Sequence, residues 1–509
     1  MYIMIRFMFD KILNSRFMSL IYLALPVFLL FLTFLNIKIS FFVVSVLFIA
    51  TYLSFFKILD LKKNIRFANY LLIILLFLFS TGHGGFISAS GIDIPWRNAI
   101  YQDLIKYPWP VIYEYSDSAL VYYITYWLVP AGISSLFDLE GTGSYIVLFA
   151  WTYLGLTLFF LLICDYLKVK KNQMVVVCFI FLFWSGMNIL GMLPKSIFAK
   201  TAFQIDAYNW FNTWLFTGGE YNGYPLNYFI RTTFDAVSNV YNQFIPVGIG
   251  TLLFLKFKDK IEYYAVIGLL VLPYSPLVFI GLLGLMLGMF AYQYKDIISD
   301  NGYKYLAKKV FSLPNICASV TILPVFYFYF TANLMAGNEK YSIFYVPLHE
   351  YGLMRVGLLL LYYLVYFGIY YFLIYENNKK NPLFWISGVL LLIFPFFRVG
   401  AGPDLNMNAS MAPFIVVMLL VTKEILLAWD QKCFYGKQLF LIIALSIAML
   451  TPLMQITNSL RCCYLEGKRA VLLDPHNING TLSDKTVKDF ENFLSDKYKE
   501  SVFYKYLAK

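Results

Sequence analysis

Apolar runs of about 20 residues recur from one end of this 509-residue chain to the other. A helix needs about that many residues to cross a hydrocarbon core of ~30 Å. A chain that keeps returning to such runs has few folds open to it, because lipid offers its backbone no hydrogen-bond partners. The expected fold is therefore an all-α polytopic membrane protein. Composition agrees: 60% of the residues are hydrophobic and 14% charged. Soluble domains carry about 25% charged residues, so a soluble enzyme, a disordered chain and a nucleic-acid binder are excluded as classes. The net charge of +11 comes from short basic clusters between apolar runs, not from a nucleic-acid surface.

Thirteen candidate spans can be placed: residues 18–37, 40–57, 69–82, 144–165, 173–193, 236–256, 261–273, 275–293, 310–332, 353–375, 383–397, 411–428 and 438–457. The seventh and eighth flank Pro273-Tyr274-Ser275-Pro276, and proline breaks helices, so a tight hairpin is expected there. Residues 119–137 are apolar enough to cross but are read as lying in the outer interface. With that reading, every large basic cluster falls on one face, from Arg6, Lys11 and Arg16 through Lys168, Lys170 and Lys171 to Lys432 and Lys437. The positive-inside rule then puts the N-terminus in the cytoplasm and the C-terminus outside. Residues 1–457 form the membrane domain and 458–509 an outside tail, whose stretch 483–509 has the spacing of an amphipathic helix.

Chemistry is expected in the outside loops, because the spans are nearly free of charge. The first loop, 83–143, carries His83, Asp93, Arg97 and Asp103. Asp93 precedes Pro95, a residue suited to the first turn of a helix. One reading makes Asp93 an ordinary cap. The other makes it a general base at the membrane surface, with Asp103 ten residues on along nearly the same helix face, and Arg97 or Asp103 orienting it. The second loop, 194–235, holds Lys195, Asp206, Trp210, Trp214, Glu220 and Arg231. Trp210 and Trp214 share a helix face and read either as interface anchors or as a sugar-stacking platform. Lys195 and Arg231 stand beside spans, where cations either snorkel or hold a lipid phosphate. Arg398-Val399-Gly400-Ala401-Gly402-Pro403-Asp404 reads as a re-entrant segment over 398–410. There Arg398 pairs with Asp404 or meets a phosphate. His349, Glu350 and Arg355 form a lesser cluster. Cys164, Cys178 and Cys317 lie in or beside apolar runs and read as core residues. The tyrosines of the two long loops, including Tyr113, Tyr122, Tyr123 and Tyr126, read as a surface meeting both lipid and sugar.

This arrangement resembles the GT-C superfamily of integral-membrane glycosyltransferases. The resemblance rests on Gly91-Ile92-Asp93 in an early external loop, on the juxtamembrane stretch from Ser118 to Leu128, on the basic turn Lys168 to Lys171, and on the count of spans. Size and the Phe-, Tyr-, Ile- and Lys-rich composition also resemble the serotype-converting O-antigen glucosyltransferases of enteric bacteria and their phages. The chain departs from the plan in placing the acidic loop after its third span. Asp93 is followed by Ile94, so no adjacent acidic pair is present, and the base stays open between Asp93 and Asp103.

The resemblance implies residence in a bacterial inner membrane, juxtamembrane helices in a periplasmic first loop and a periplasmic tail. It implies sugar transfer from a polyprenyl-phosphate donor to a cell-surface glycan such as O-antigen, or to a lipid-linked acceptor. The implied partners are membrane lipid, the lipid-linked sugar, the acceptor, a donor synthase and a donor flippase, with no nucleic acid. No cofactor is required, although a divalent ion on Asp93 would be compatible with the chemistry. The alternatives are a polysaccharide polymerase or ligase, and a lipid-linked oligosaccharide flippase or transporter.

Overall fold

The computed structural model describes residues 15–58, 70–83, 94–188, 190, 220–221, 224–225, 230–333, 356–357, 359–397, 404–465, 480–483, 485, 487 and 492–509. In chain order the elements are α1 (Ser15–Phe34), α2 (Ile37–Ile58), α3 (Tyr70–Ser80), α4 (Ile94–Lys106), β1 (Ile112–Tyr113), β2 (Ser118–Leu120), α5 (Thr125–Leu136), α6 (Thr142–Leu167) and α7 (Met174–Leu182). A short hairpin, β3 (Glu220–Tyr221) and β4 (Tyr224–Pro225), precedes α8 (Thr233–Asn239), α9 (Tyr241–Lys256) and α10 (Tyr264–Leu269). Then come α11 (Pro276–Val310), α12 (Leu313–Thr331), α13 (Ile369–Asn378), α14 (Pro382–Ile393), α15 (Asp404–Ala409), α16 (Met411–Gln431), α17 (Lys437–Leu465) and β5 (Leu494–Ser495).

The chain is thus a helical polytopic membrane protein. Among the described residues, seven helical stretches are long and apolar enough to cross a bilayer: Arg16–Phe34, Ile37–Ser54, Thr142–Leu167, Pro276–Thr331, Leu359–Asn378, Asp404–Gln431 and Lys437–Thr457. Four more apolar stretches, around α3, α7, α10 and α14, are shorter. The span expected at 236–256 is two helices, because Val240 leaves helical geometry between α8 and α9. The span expected at 173–193 is helical to Leu182, runs without regular structure from Trp184 to Met187, and is helical again at Asn188 and Leu190.

Burial separates the centre of the bundle from its rim. α16 is apolar on every face over its first three turns, and Met411 to Thr422 are all buried, as a helix surrounded by other helices must be. α2 turns Phe41, Phe42 and Phe48 outward. Ser275 and Pro276 make the expected hairpin: a 3-10 turn ends at Tyr274, and the Ser275 hydroxyl accepts from the Leu277 N–H at 3.2 Å as α11 begins. Asn381, followed by Pro382, caps α14 in the same way.

Ion pairs tie helix ends together at one end of the bundle. Arg16 at the start of α1 donates to Asp165 near the end of α6 at 2.8 and 2.9 Å. Lys256 at the end of α9 approaches the same carboxylate at 3.3 Å. Lys170 and Gln173 both donate to Asp430. Asn377 and Asn378 donate to Glu424.

A different set of contacts gathers the first loop and the tail. β1, β2 and β5 form one antiparallel sheet, with Ala119 opposite Ser495 and Leu120 opposite Leu494. Asn36 N–H donates to Leu507 O at 2.8 Å, and Lys509 N–H to Phe34 O at 3.0 Å. Asn333 donates to the carbonyls of Val121 and Asn492. Over its described residues the tail is therefore not the continuous amphipathic helix its spacing suggested. Its described residues are turns, the strand Leu494–Ser495, a short 3-10 helix at Tyr498–Glu500 and a five-residue π-helix at Phe503–Leu507. The physical reason is that β2 offers an unpaired edge, and Leu494, Phe503 and Leu482 bury completely against the body without a helix.

Residues 119–137 divide into the end of β2, a turn and the 12-residue α5. Such a helix is about 18 Å long, short of the ~30 Å core. Tyr126 and Trp127, expected as interface aromatics, have no exposed surface. Their polar atoms find partners inside: Tyr126 donates to Thr152 at 3.0 Å and Trp127 to the Tyr241 hydroxyl at 2.8 Å.

α11 packs closely on α15. A methyl group on Gly281 would run into the backbone oxygen of Ala409, and backbone cannot rotate away. Gly281→Ala should therefore cost about 1–3 kcal/mol through overpacking, read as a lower midpoint of thermal unfolding in detergent. Gly480→Ala, where a methyl group meets nothing, should leave the midpoint unchanged.

Candidate functional site at the first loop

α4 is the unusual helix of the fold. It carries Arg97, Asn98, Gln102 and Asp103, yet these side chains are 5%, 6%, 9% and 0% exposed. A polar helix buries only where the protein supplies partners. Arg97 donates to the Asn242 side-chain amide oxygen at 3.2 Å and also to the Tyr122 hydroxyl at 3.4 Å. Gln102 donates to the Ser144 hydroxyl at 3.1 Å, and Tyr101 to the Ser144 carbonyl at 2.7 Å. α4 is thereby pinned to α6 and to the start of α9. Its own first turn follows directly on Asp93, which lies outside the described residues.

Asp103 is fully enclosed. Tyr113 OH and the Leu482 N–H donate to one carboxylate oxygen at 2.7 and 2.8 Å, and the Thr481 hydroxyl donates to the other. Burial pushes the carboxyl above its ordinary range, against the pull of those three donors. Burial and the neighbouring Asp103 together raise the Tyr113 phenol. A carboxylate in this position holds the tail to the first loop. As a candidate base it has no face open to an acceptor. A second, exposed tie joins the same two segments: Lys499 meets Asp117 at 2.6 Å, which lowers the aspartate and raises the lysine.

His83 ends the turn after α3 and is buried beside Thr152, with Nε2 and Oγ1 2.8 Å apart. The Tyr241 ring meets it edge-on at 4.3 Å. Burial pulls its pKa down to about 3, so the ring is neutral at physiological pH and is a polar contact within the core.

Arg231 forms a second buried polar centre. It pairs with Asp235 at 2.6 Å, both side chains being less than a tenth exposed. Asn239 donates to the other Asp235 oxygen at 2.7 Å, and Thr232 donates to Gln455 at 2.8 Å. The pair falls in the stretch expected as the second loop, just before the span read at 236–256, and is buried there beside α9. Its i,i+4 spacing was readable in the sequence, but Asp235 was not singled out. Arg231, Trp184, Thr233 and Phe414 line a small cavity.

Of the remaining candidates, Asp404 opens α15 at partial exposure, and Leu405 to Ala409 behind it are buried. Asp93, Lys195, Trp210, Trp214 and Arg398 lie outside the described residues, as do His349, Glu350 and Arg355. Tyr113 and Tyr126 are buried, whereas Tyr115 is 94% exposed, so the loop tyrosines are not one surface. Cys164, Cys178 and Cys317 are buried free thiols as expected. Among the described residues no group of three His, Cys, Asp or Glu side chains is arranged to hold a metal.

No protein-family model, curated protein or solved structure matches the chain.

Removing the Asp103 carboxylate orphans the Leu482 N–H and the Tyr113 hydroxyl, at about 1–3 kcal/mol for each buried donor. Asp103→Ala should therefore release the tail, seen as faster proteolysis within 480–509 than in the parent protein. Because the folded state raises the carboxyl's pKa above its unfolded value, the ionised side chain costs stability as pH rises through that interval. The stability of the parent relative to Asp103→Asn should accordingly improve as pH falls from 7 to 4, measured as the difference in unfolding midpoints.

Proposed function

We propose that the chain is an integral-membrane glycosyltransferase of GT-C plan, with thirteen spans, a cytoplasmic N-terminus and the first loop and tail in the periplasm. It moves a sugar from a polyprenyl-phosphate donor to a glycan acceptor such as O-antigen. The observation that carries this reading is α4. A polar helix in an external loop is buried against the bundle, its Arg97 seated on Asn242, and Asp93 stands immediately before it. That is how a carboxylate can be held at a fixed place on a membrane surface.

In the proposed reaction the acceptor hydroxyl attacks the anomeric carbon. Its proton passes to Asp93, the bond from that carbon to the phosphate oxygen breaks, and polyprenyl phosphate departs with the electron pair. Asp103, closed off by three donors, is assigned to holding the tail. Lys195 and Arg398 are the proposed partners of the departing phosphate. Arg231 is a weaker choice than either, since Asp235 already balances its charge. Trp210 and Trp214 are kept as the sugar platform.

A second reading has one observation in its favour. The Arg231–Asp235 pair, with Asn239 and the Thr232–Gln455 contact, is the kind of buried ionisable centre that marks pathways through membrane proteins. A flippase or transporter of a lipid-linked saccharide would use it.

The two readings part in reconstituted proteoliposomes supplied with lipid-linked sugar and acceptor. The glycosyltransferase forms a new glycosidic bond, and Asp93→Asn lowers its rate by about 10²–10⁴-fold, while Asp103→Asn keeps most of it. Movement of the lipid-linked sugar between leaflets with no new bond would establish the second reading instead. Full transfer by Asp93→Asn would end the proposed mechanism.

A further inference from the structure

α11 is 35 residues long, about 52 Å at ~1.5 Å per residue. A hydrocarbon core of ~30 Å takes up little more than half of that. The buried positions stop at Met289. Beyond it the helix leaves the body, breaks at Gly302, where φ is 79° and ψ 165°, and resumes as an eight-residue arm from Tyr303 to Val310. Both ends of this excursion are fastened at one level. Gln293 donates to Asp259 at 3.0 Å, Lys309 pairs with Glu262 at 2.8 Å, and the Ser312 hydroxyl donates to the Glu262 carbonyl at 2.8 Å. From there α12 re-enters as an apolar helix.

The arm's composition is the second observation. Residues 303–313 read YKYLAKKVFSL, with three lysines and no acid. Tyr303 is 76% exposed, Phe311 70%, Leu313 56% and Tyr305 42%. Lys309 lies over the Tyr305 ring at 5.5 Å. Large aromatic residues are left uncovered beside lysines, at the point where two apolar helices meet. That pairing suits the headgroup layer, where rings enter the acyl boundary and ammonium groups meet phosphate.

We propose that the arm 303–313 is a docking surface for anionic phospholipid headgroups. Tyr303, Tyr305 and Phe311 lie in the interface, and Lys304 and Lys308 sit on lipid phosphates. The binding depends on the anionic lipid, because lysines near a charged bilayer surface gain attraction that falls off within a Debye length.

The test uses the full chain in nanodiscs of phosphatidylcholine alone and of phosphatidylcholine with phosphatidylglycerol. Lysines are methylated by a neutral reagent and read by mass spectrometry, with Lys260 at the same end of the bundle as the internal reference. Lys304 and Lys308 should react on the order of fivefold more slowly, relative to Lys260, in the anionic discs. The double variant Tyr303→Ser, Phe311→Ser should abolish most of that protection, and both positions are exposed, so the fold should tolerate it. Equal relative rates in the two lipids would overturn the proposal, as would protection that the double variant leaves untouched.

Discussion

A carboxylate with no exposed surface has to be met by donors, and Asp103 is met by donors from the far end of the chain. Thr481 and Leu482, 378 and 379 residues away in sequence, close over it. The rest of the first loop is organised around that closure. Tyr113 reaches Asp103 from β1, β2 takes β5 as its third strand, and Lys499 ties to Asp117 on the turn between β1 and β2. The tail then runs on to the turn between α1 and α2, where Leu507 and Phe34 supply carbonyls to Asn36 and Lys509. The buried acid, the β2–β5 pairing and the Asn36 contacts thus hold the described residues of the tail to the first hairpin and the first loop.

The same demand for internal partners explains the tyrosines. Inside a helical bundle a phenol offers a large ring to packing and one hydroxyl that must be satisfied. Tyr22 donates to Tyr126, Tyr126 to Thr152, Tyr274 to Leu23 O and Tyr101 to Ser144 O. These bonds cross between α1, α4, α5, α6 and the turn before α11. Much of the tyrosine excess is therefore a means of joining helices with directional contacts, in a place where apolar surface alone would let them slide.

The helices, the Pro-bounded hairpin and the buried thiols were legible because they rest on local patterns. Apolar run length, proline chemistry and core preference each act over a few residues. The tail was not legible. Val487, Phe493, Leu494, Phe503 and Leu507 have a spacing that suits a helix face, and a two-residue strand shows no alternation to contradict it. What decided the outcome was the free edge of β2, more than 370 residues earlier. The enclosure of Asp103 was hidden for a related reason: sequence shows a carboxylate on a helix, while its enclosure depends on Thr481 and Leu482. The Arg231–Asp235 pair stands between these cases, since its spacing was visible and its burial was not.

Asp93 and Asp103 flank most of α4 in sequence, and Asp103 is the one of the two that lies among the described residues. They are ten residues apart in sequence, Asp93 just before α4 and Asp103 near its end. The Asp103 end is fixed by the tail, the middle by Arg97 on Asn242 and Gln102 on Ser144. A helix held at its middle and its far end has little freedom to tilt, because tilting would break contacts with α6, α9 and the tail together. The position of its first turn is then determined by the contacts made at Arg97, Gln102 and Asp103. In this arrangement the tail fixes how α4 lies against the bundle, because Thr481 and Leu482 hold its far end through Asp103 although they are remote in sequence.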